Sequence, residues 1–281
     1  MRQLNLATSW GDLRLVGGSR AGEGSLVLLP QLRLALDAGR PARALVPLQH
    51  VVVSHGHLDH LLGLPAWASQ RQLQGIPGGT VWVERSQAAA VADLLAVTGR
   101  LEGGKPYDVE VRGTAAGESA PLRPGFELSF FATSHWVPTL GCRVDWIRRH
   151  LRPELAAASP DDLRRLREDG TEITEDIRVP LLAYLADTGP EVFEREPWLA
   201  GVEVLVTECT FLRPADLERA RRFGHLHLDD LVAVAPRLAN RHLVLTHLSR
   251  RHRIAAGNRK IREALAPLLR PELHLLNVEW L

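Results

Sequence analysis

The sequence is poor in sulfur-containing residues, with two cysteines and one methionine among 281 residues. Cys142 and Cys209 are too few for a disulfide framework. The residues after Met1 lack the basic stretch and the apolar run of a signal peptide, so the cytoplasm is the expected compartment. No apolar run approaches the ~20 residues of a membrane-spanning helix, so no membrane partner is predicted.

The chain also lacks an excess of charge of either sign, because 34 Lys and Arg oppose 33 Asp and Glu and leave a formal charge of +1. No overall field would recruit nucleic acid, so any polyanion must be held by a local basic patch. The apolar content of 45% lets a chain of this length bury a sizeable core. Histidine is the one surplus, at twelve residues, and it is the commonest metal ligand in proteins.

Short apolar runs separated by glycine or proline predict strands over residues 12–16, 25–29, 32–37, 50–54, 109–112, 127–133, 181–186, 202–207 and 242–246. Helical spacing and start signals predict helices over residues 84–97, 160–167, 213–223 and 229–238. Gly99 is the expected stop of the first helix, and Ser159 is the expected cap of the second. The early strands lack crossover helices, which favours two separate sheets over a doubly wound sheet. We therefore expect an α+β fold in one domain, residues 1–281, with two sheets between outer helices in a four-layer αββα sandwich.

One tight turn carries most of the predicted chemistry. The strand that ends at Ser54 is followed by His55, His57, Asp59 and His60, an HxHxDH pattern. His55 and His57 are two residues apart and can converge on one ion, whereas Asp59 and His60 face the other way and can hold a second. A solvated histidine turn is the alternative interpretation.

One turn cannot complete two coordination spheres, so further ligands are expected at other strand ends. His135, Asp187 and His247 each follow an apolar run that is predicted to be a strand. A carboxylate at Asp187 could bridge two cations and share their charge. Each of these residues alone would be an ordinary loop residue, but together with the HxHxDH turn they predict a binuclear site.

Several motifs along nearly the whole chain carry a resemblance to a known family. They are Gly22 to Ser25 leading to Leu36–Arg40, SHGHLDHLLGLP at 54–65, HWVPTLG at 135–141, ADT at 186–188, TECTF at 207–211, GHLHLDD at 224–230, and THLS at 246–249 with Arg251. The sequence resembles the metallo-β-lactamase superfamily, and within it the ribonuclease Z family, which trims tRNA 3′ ends. The GHLHLDD form and the short length are most similar to the short ribonuclease Z proteins of plants and some bacteria.

The resemblance implies two zinc ions per subunit, the first held by His55, His57 and His135 and the second by Asp59, His60 and His247, with Asp187 bridging. It also implies that Asp59 orients the attacking water, that Glu208 and His225 are an acid–base pair, and that Ser249 and Arg251 bind the substrate phosphate. The implied substrate is precursor tRNA, and the implied assembly is a homodimer. His227 is interpreted as a helix-cap residue.

The sequence departs from the family pattern at three positions. Ala186 stands where the family has glycine, and Cys142 and His252 stand where it has tyrosine, which removes two rings that could stack on RNA. No Gly-Pro-rich arm is evident for gripping tRNA. Residues 143–178, in the corresponding stretch, and residues 250–253 are the candidate basic surfaces, although acidic residues interleave with the former.

Two other functions fit the sequence. A hydrolase with the same metals could act on a small ester, a thioester or a cyclic phosphodiester, and the near-zero net charge favours it. A non-enzymatic binding protein could use the histidines only to hold its fold. Structural zinc sites are usually closed and rich in cysteine, however, and this chain has no paired cysteines in ligand spacing.

Overall fold

Two seven-stranded sheets form the centre of the computed structural model, which describes residues 1–280. The strands are β1 (Arg2–Thr8), β2 (Gly11–Arg20), β3 (Gly24–Leu29), β4 (Leu34–Leu36), β5 (His50–Val53), β6 (Thr80–Glu84), β7 (Glu110–Thr114), β8 (Ser119–Arg123), β9 (Phe126–Ala132), β10 (Leu140–Leu151), β11 (Thr174–Tyr184), β12 (Val204–Glu208), β13 (His242–Thr246) and β14 (Glu272–Leu275). The helices are α1 (Leu58–Leu61), α2 (Leu64–Leu73), α3 (Ala88–Leu101), α4 (Pro160–Glu168), α5 (Val192–Arg195), α6 (Leu217–Phe223), α7 (Leu228–Val234) and α8 (Ile254–Leu265).

Both sheets follow the same plan. In the first sheet, β1 to β4 are antiparallel and β4 to β7 are parallel. In the second, β8 to β11 are antiparallel and β11 to β14 are parallel. Parallel neighbours need crossover connections, and helices supply them on both sides of the molecule except between β4 and β5, which are joined by a loop. The carboxyl ends of the parallel strands therefore lie along one edge of each sheet.

The alternation of side chains along the strands builds three apolar layers. Val27 and Leu29 on β3 face the second sheet, whereas Leu26 and Leu28 face the helices. The central layer lies between the sheets, and the two outer layers lie under α1 to α3 and under α7 and α8. This arrangement confirms the predicted αββα sandwich, because a strand buried on both faces must alternate between two apolar layers.

The sequence missed elements with a weak pattern, and it was wrong about one helix end. The elements that were not predicted are β1, β6, β8, β10, β14, α1, α2, α5 and α8. Gly99 does not stop α3, which continues to Leu101, because Gly99 is buried against the Lys105 carbonyl and the positive φ comes later, at Gly103. Ser159 caps α4 as predicted, and its hydroxyl accepts a hydrogen bond from the backbone N–H of Asp162.

The largest difference from the sequence analysis is a projecting ribbon, residues 147–178. β9 pairs with β10 only as far as Trp146, so from Ile147 onward β10 pairs with β11 alone. The exposed end of this two-stranded ribbon carries α4, which buries none of its own residues. A two-stranded extension therefore occupies the stretch in which the sequence showed no Gly-Pro-rich arm. No helix within residues 1–280 is both long and apolar enough to cross a membrane.

The turn after β4 brings two backbones into direct contact. The N–H of Gly39 donates to the Ser25 carbonyl at 2.9 Å. A Cβ atom at Gly39 would lie 1.8 Å from the carbonyl oxygen of Asp59 and 2.7 Å from the Ser25 nitrogen. Only glycine fits here, because the neighbours are backbone atoms that cannot rotate away.

Replacing this glycine should destabilise the protein strongly. We expect Gly39→Ala to lower the free energy of unfolding by about 1–3 kcal/mol or more, since the added methyl group overpacks the contact with Asp59. Chemical denaturation measures the loss. The matched control is Gly201→Ala, where no atom lies within 4 Å of the added carbon, and it should change stability by less than about 0.5 kcal/mol. Equal effects at the two sites would contradict the tight contact.

Candidate metal centre

The predicted ligands meet at the edge where the strands end. His55 and His57 follow β5, His135 follows β9, Asp187 follows β11 and His247 follows β13. Ligand sites of open α/β sheets lie at the carboxyl ends of parallel strands, since the loops there converge. Residues far apart in the sequence thus line one site between the two sheets.

The first predicted ligand group is compact. His55 Nε2 lies 2.8 Å from His57 Nδ1, and His135 Nε2 lies 3.4 Å from the same His57 nitrogen. Asp187 completes the group, with Oδ2 3.8 Å from His55 Nε2. Burial lowers the pKa of His55, His57 and His135, which favours the neutral imidazoles that can ligate a cation.

The second predicted group has the same spacing. His60 Nε2 lies 3.3 Å from His247 Nε2, and Asp59 Oδ2 lies 3.4 Å from His247 Nε2 and 3.7 Å from His60 Nε2. The N–H of Gly22 donates to Asp59 Oδ2 at 2.7 Å and fixes the carboxylate. All three side chains are therefore aimed at one point.

Asp187 lies between the two groups. Its Oδ2 is 3.5 Å from His60 Nε2 and 3.8 Å from His55 Nε2, so it faces one ligand of each group. The side chain is 2% exposed, and its Oδ1 accepts no hydrogen bond, although His247 Nδ1 lies 3.3 Å from it. A buried carboxylate with so few hydrogen bonds is costly, and a cation at this position would compensate its charge.

In four of the histidines, the ring nitrogen that points away from the predicted metal site, Nδ1, already has a hydrogen-bond partner. Nδ1 of His55 lies 3.0 Å from Ser54 Oγ, and Nδ1 of His135 lies 3.0 Å from the Gly224 carbonyl. Nδ1 of His247 lies 3.0 Å from Thr210 Oγ1, and Nδ1 of His60 lies 2.6 Å from Asp37 Oδ2. Donation from each Nδ1–H leaves the Nε2 lone pair free toward the site, which is how proteins orient metal-binding histidines.

Asp37 is the centre of the hydrogen-bond network that supports these histidines. The sequence analysis did not include it among the site residues. It is fully buried and accepts hydrogen bonds from the Ser54 backbone N–H at 2.7 Å, the Ser54 hydroxyl at 3.0 Å, the Tyr184 hydroxyl at 2.6 Å and His60 Nδ1. Burial opposes charge on His60, but Asp187 and Asp37 outweigh it and raise the pKa of His60 well above its usual range. The two buried carboxylates therefore need a compensating positive charge, which a cation or a proton must supply.

Glu208 and His225 form the predicted pair beside this cluster. Glu208 Oε1 lies 2.9 Å from His225 Nδ1 and also accepts from the Thr188 N–H at 2.9 Å. Glu208 is fully buried, and Thr210 donates to its other oxygen. Burial lowers the pKa of His225, but the Glu208 carboxylate outweighs it and raises the pKa of His225 to about 9. The buried carboxylate thus favours the protonated form of the imidazole.

The remaining predicted residues are placed differently. Ser249 is buried at the end of the His247 loop, and its Oγ accepts from the Arg251 backbone N–H at 3.3 Å. The Arg251 side chain is exposed, and within residues 1–280 no hydrogen bond joins it to the histidines. Both residues belong to the loop that follows His247, and their predicted contact with the substrate phosphate stays a prediction. His227 caps α7 in a capping box with Asp230, as interpreted from the sequence.

Two departures from the family pattern have a structural explanation. Cys142 is fully buried in the apolar layer between the sheets, so that position presents nothing to a substrate. Ala186 has a φ of 52°, in the left-handed region that favours glycine, which is why glycine is usual there. Asp37 and His247 have φ of 59° and 61°, so strained residues gather at this site.

The donor set fits a pair of divalent metal ions. Asp187 belongs to the first group of donors and lies 3.5 Å from His60 of the second, and most of the donors are buried. Imidazole-rich sets favour zinc over magnesium. The predicted ligands are therefore assembled as the sequence suggested, whereas their partners Asp37, Tyr184, Thr210 and the Gly224 carbonyl became visible only in the fold.

Comparison with known proteins agrees with this site. The Beta-lactamase superfamily domain model matches residues 21–248. The chain is 31% identical to the chloroplastic tRNase Z TRZ2 of Arabidopsis thaliana over 256 residues, covering 90% of this chain and 71% of that protein. It is 29% identical to tRNase Z TRZ1 of the same plant over 258 residues, covering 91% and 90%.

The crystal structure of human tRNase Z, short form, superposes with a TM-score of 0.60 at 16% identity, covering 94% of this chain and 96% of that one. At this identity the likeness concerns the fold alone. The family match and the TRZ2 identity carry the assignment. The chain belongs to the ribonuclease Z (tRNase Z) family of the β-lactamase superfamily.

Proposed function

We propose that this protein is a zinc-dependent endoribonuclease that cuts precursor tRNA after the discriminator base, removes the 3′ trailer and leaves a 3′-hydroxyl. The Glu208–His225 pair carries the proposal, because His225 Nδ1 is held by Glu208 and lies 3.9 Å from Asp187 Oδ2, which leaves Nε2–H as a proton donor on a ring beside the ligand cluster. A phosphodiester needs such a donor at its leaving oxygen. The curated relatives named tRNase Z support the choice of substrate.

The ligand roles follow the two groups. His55, His57 and His135 would hold one zinc ion, Asp59, His60 and His247 the other, and Asp187 both. Two zinc ions would lower the pKa of water and neutralise charge on the phosphoryl oxygens. Asp59, fixed by the Gly22 N–H, would also orient the attacking water.

The acid–base pair acts by holding one proton in place. Glu208 accepts from His225 Nδ1, and the Thr188 N–H and the Thr210 hydroxyl keep the carboxylate from turning. His225 Nε2–H then protonates the departing 3′-oxygen of the discriminator nucleotide. Its raised pKa keeps the imidazole charged until that step.

RNA contacts are proposed at three exposed places around the site. Trp136 is 62% exposed, and its ring centroid lies 5.2 Å from that of His57, so a base could stack on it. Ser249 and Arg251 would bind the phosphate at the scissile bond, beside the exposed Arg250 and Arg253. The ribbon offers Arg148 and Arg167, which form no ion pair within residues 1–280. Between residues 148 and 178 the ribbon has seven arginines and eight acidic residues, so it has no net positive charge. It would therefore bind phosphates only at individual arginines.

Cleavage of a precursor tRNA with a 3′ trailer tests the function. With zinc, we expect one cut that leaves a 3′-hydroxyl. The Asp59→Ala variant should lose more activity than the about 10–100-fold that loss of an outer-shell partner costs. S-lactoylglutathione, a thioester, is the comparison substrate. An uncut tRNA with rapid thioester hydrolysis would favour the small-substrate hydrolase, and bound zinc with neither activity would favour the binding protein.

Substituting two neighbouring histidines distinguishes the proposed general acid, His225, from a structural residue, His227. We expect His225→Asn to lower kcat on precursor tRNA by about 10²–10⁴-fold with bound zinc unchanged, because the proton donor is lost. His227→Asn is the matched control, since asparagine also caps helices, and it should retain kcat. Steady-state kinetics and metal analysis on both variants measure this. Similar kcat values for the two variants would refute the acid role.

We also propose that the subunit is one hydrolase domain, residues 1–281, that works in the cytoplasm as a homodimer. Leu58 and Leu62 are 65% and 57% exposed and lie one helical turn apart, next to the ligand loop. An apolar pair at this position suits a contact with a second copy, which could grip RNA that the first copy cuts.

Sedimentation velocity tests the assembly. We expect wild type to sediment as a dimer and Leu62→Arg to shift toward monomer, because a charge would be buried in the contact. Leu101→Arg, on a leucine that is 81% exposed on α3, is the control and should remain dimeric. A monomeric wild type, or equal behaviour of the two variants, would count against this surface.

A further inference from the structure

A second cluster of ligand-type side chains lies away from the proposed catalytic centre. His242 begins β13, and Glu272 and His274 lie on the neighbouring strand β14. His242 is paired directly with Glu272 in the parallel register, and His274 is two residues further along on the same face. The proposed active-site ligand His247 follows the opposite end of β13, five residues or about 16 Å away. The cluster is therefore outside the site already described.

The three donor atoms are spaced like those of the catalytic group. His242 Nδ1 lies 3.1 Å from His274 Nε2, and Glu272 Oε2 lies 3.5 Å from the first nitrogen and 3.7 Å from the second. The separations among Asp59, His60 and His247 are 3.3, 3.4 and 3.7 Å. A tetrahedral zinc ion with ligand distances of about 2.0–2.1 Å needs donors about 3.3 Å apart. Both clusters meet this requirement.

The orientation of His242 adds an independent reason. Its Nε2 lies 3.0 Å from the backbone carbonyl of Ala7 on β1 and must donate to it, since a carbonyl only accepts. The Nδ1 lone pair is then left free and aimed at the cluster. A ring fixed by a carbonyl on one nitrogen is the arrangement found behind metal-binding histidines. Burial also lowers the pKa of His274, which favours the neutral ring that can ligate.

The surroundings suit a small divalent ion with one open position. His242 is 6% exposed and the His274 side chain 13%, whereas the Glu272 side chain is 69% exposed. Two imidazoles would come from inside, the carboxylate would close from the solvent side, and water would be the fourth ligand. Two nitrogens and one oxygen favour zinc over calcium or magnesium.

We propose that His242, His274 and Glu272 form a third zinc site in each chain, a peripheral site that joins the edges of the two sheets. The ion would tie β13 to the edge strand β14, and through His242 and the Ala7 carbonyl to β1, the edge strand of the first sheet. Its role is to hold the amino-terminal strand in place. It takes no part in phosphodiester cleavage.

Zinc stoichiometry tests the site. Metal-free protein is titrated with zinc in competition with a chromogenic chelator, and we expect His274→Gln to bind one zinc ion fewer per chain than wild type. His274 is the preferred target because it lies on an edge strand, and its loss leaves the core intact. His150→Gln, which removes an exposed histidine of the ribbon, is the matched control and should bind as many ions as wild type.

The difference of one zinc ion between wild type and His274→Gln carries the test, so it does not depend on how many ions the catalytic centre holds. Glu272→Gln should keep the third ion but release it about 10-fold more readily, since a charged ligand becomes neutral. Cleavage of precursor tRNA by His274→Gln should match wild type. Equal zinc content in wild type and His274→Gln would mean that the cluster is only a histidine–histidine hydrogen bond, which overturns the proposal.

Discussion

The buried carboxylate of Asp37 is the constraint on which the site depends. It follows β4 of the first sheet, yet it accepts a hydrogen bond from Tyr184 on β11 of the second. It also holds the backbone and hydroxyl of Ser54 and the ring of His60. A fully buried carboxylate is tolerated only when its oxygens are paired, so the ligand loop and both sheets must keep their relative position. Any movement between the sheets would leave this charge unpaired.

The strand ends carry the strain that this arrangement requires. Asp37, Ala186 and His247 adopt left-handed conformations although none is glycine. Each turns the chain sharply at the edge where the loops converge, which brings a side chain or its neighbour Asp187 into the cluster. Such conformations cost of order 1 kcal/mol each and persist when surrounding contacts outweigh them. Here the contacts are the hydrogen bonds that support the histidine rings, and the result is a set of metal-binding side chains that is already in place.

Local charge, rather than net charge, governs how this chain would meet a polyanion. The ribbon pairs most of its arginines with acids, such as Arg149 with Asp176 and Arg165 with Asp162. The loop 250–253 has three arginines and no acidic residue. The Arg20 side chain also donates a hydrogen bond to the backbone carbonyl of His252 in this loop. Positive charge is therefore concentrated in the loop that follows the predicted ligand His247. A nearly neutral protein can still offer a basic surface where the scissile phosphate would lie.

The sequence by itself determined the layers of the fold and the ligand-type residues. Period-two apolar runs are buried wherever a strand lies between two layers, and the HxHxDH turn holds its residues together by chain connectivity alone. The tertiary structure decided the rest. Tyr184 meets Asp37 across 147 positions of sequence, and the cluster of His242, Glu272 and His274 exists only because β13 and β14 are neighbours. The ribbon was invisible because its strands pair with each other and bury little, so they leave no apolar pattern. Contacts between distant segments depend on register and packing, which no local pattern encodes.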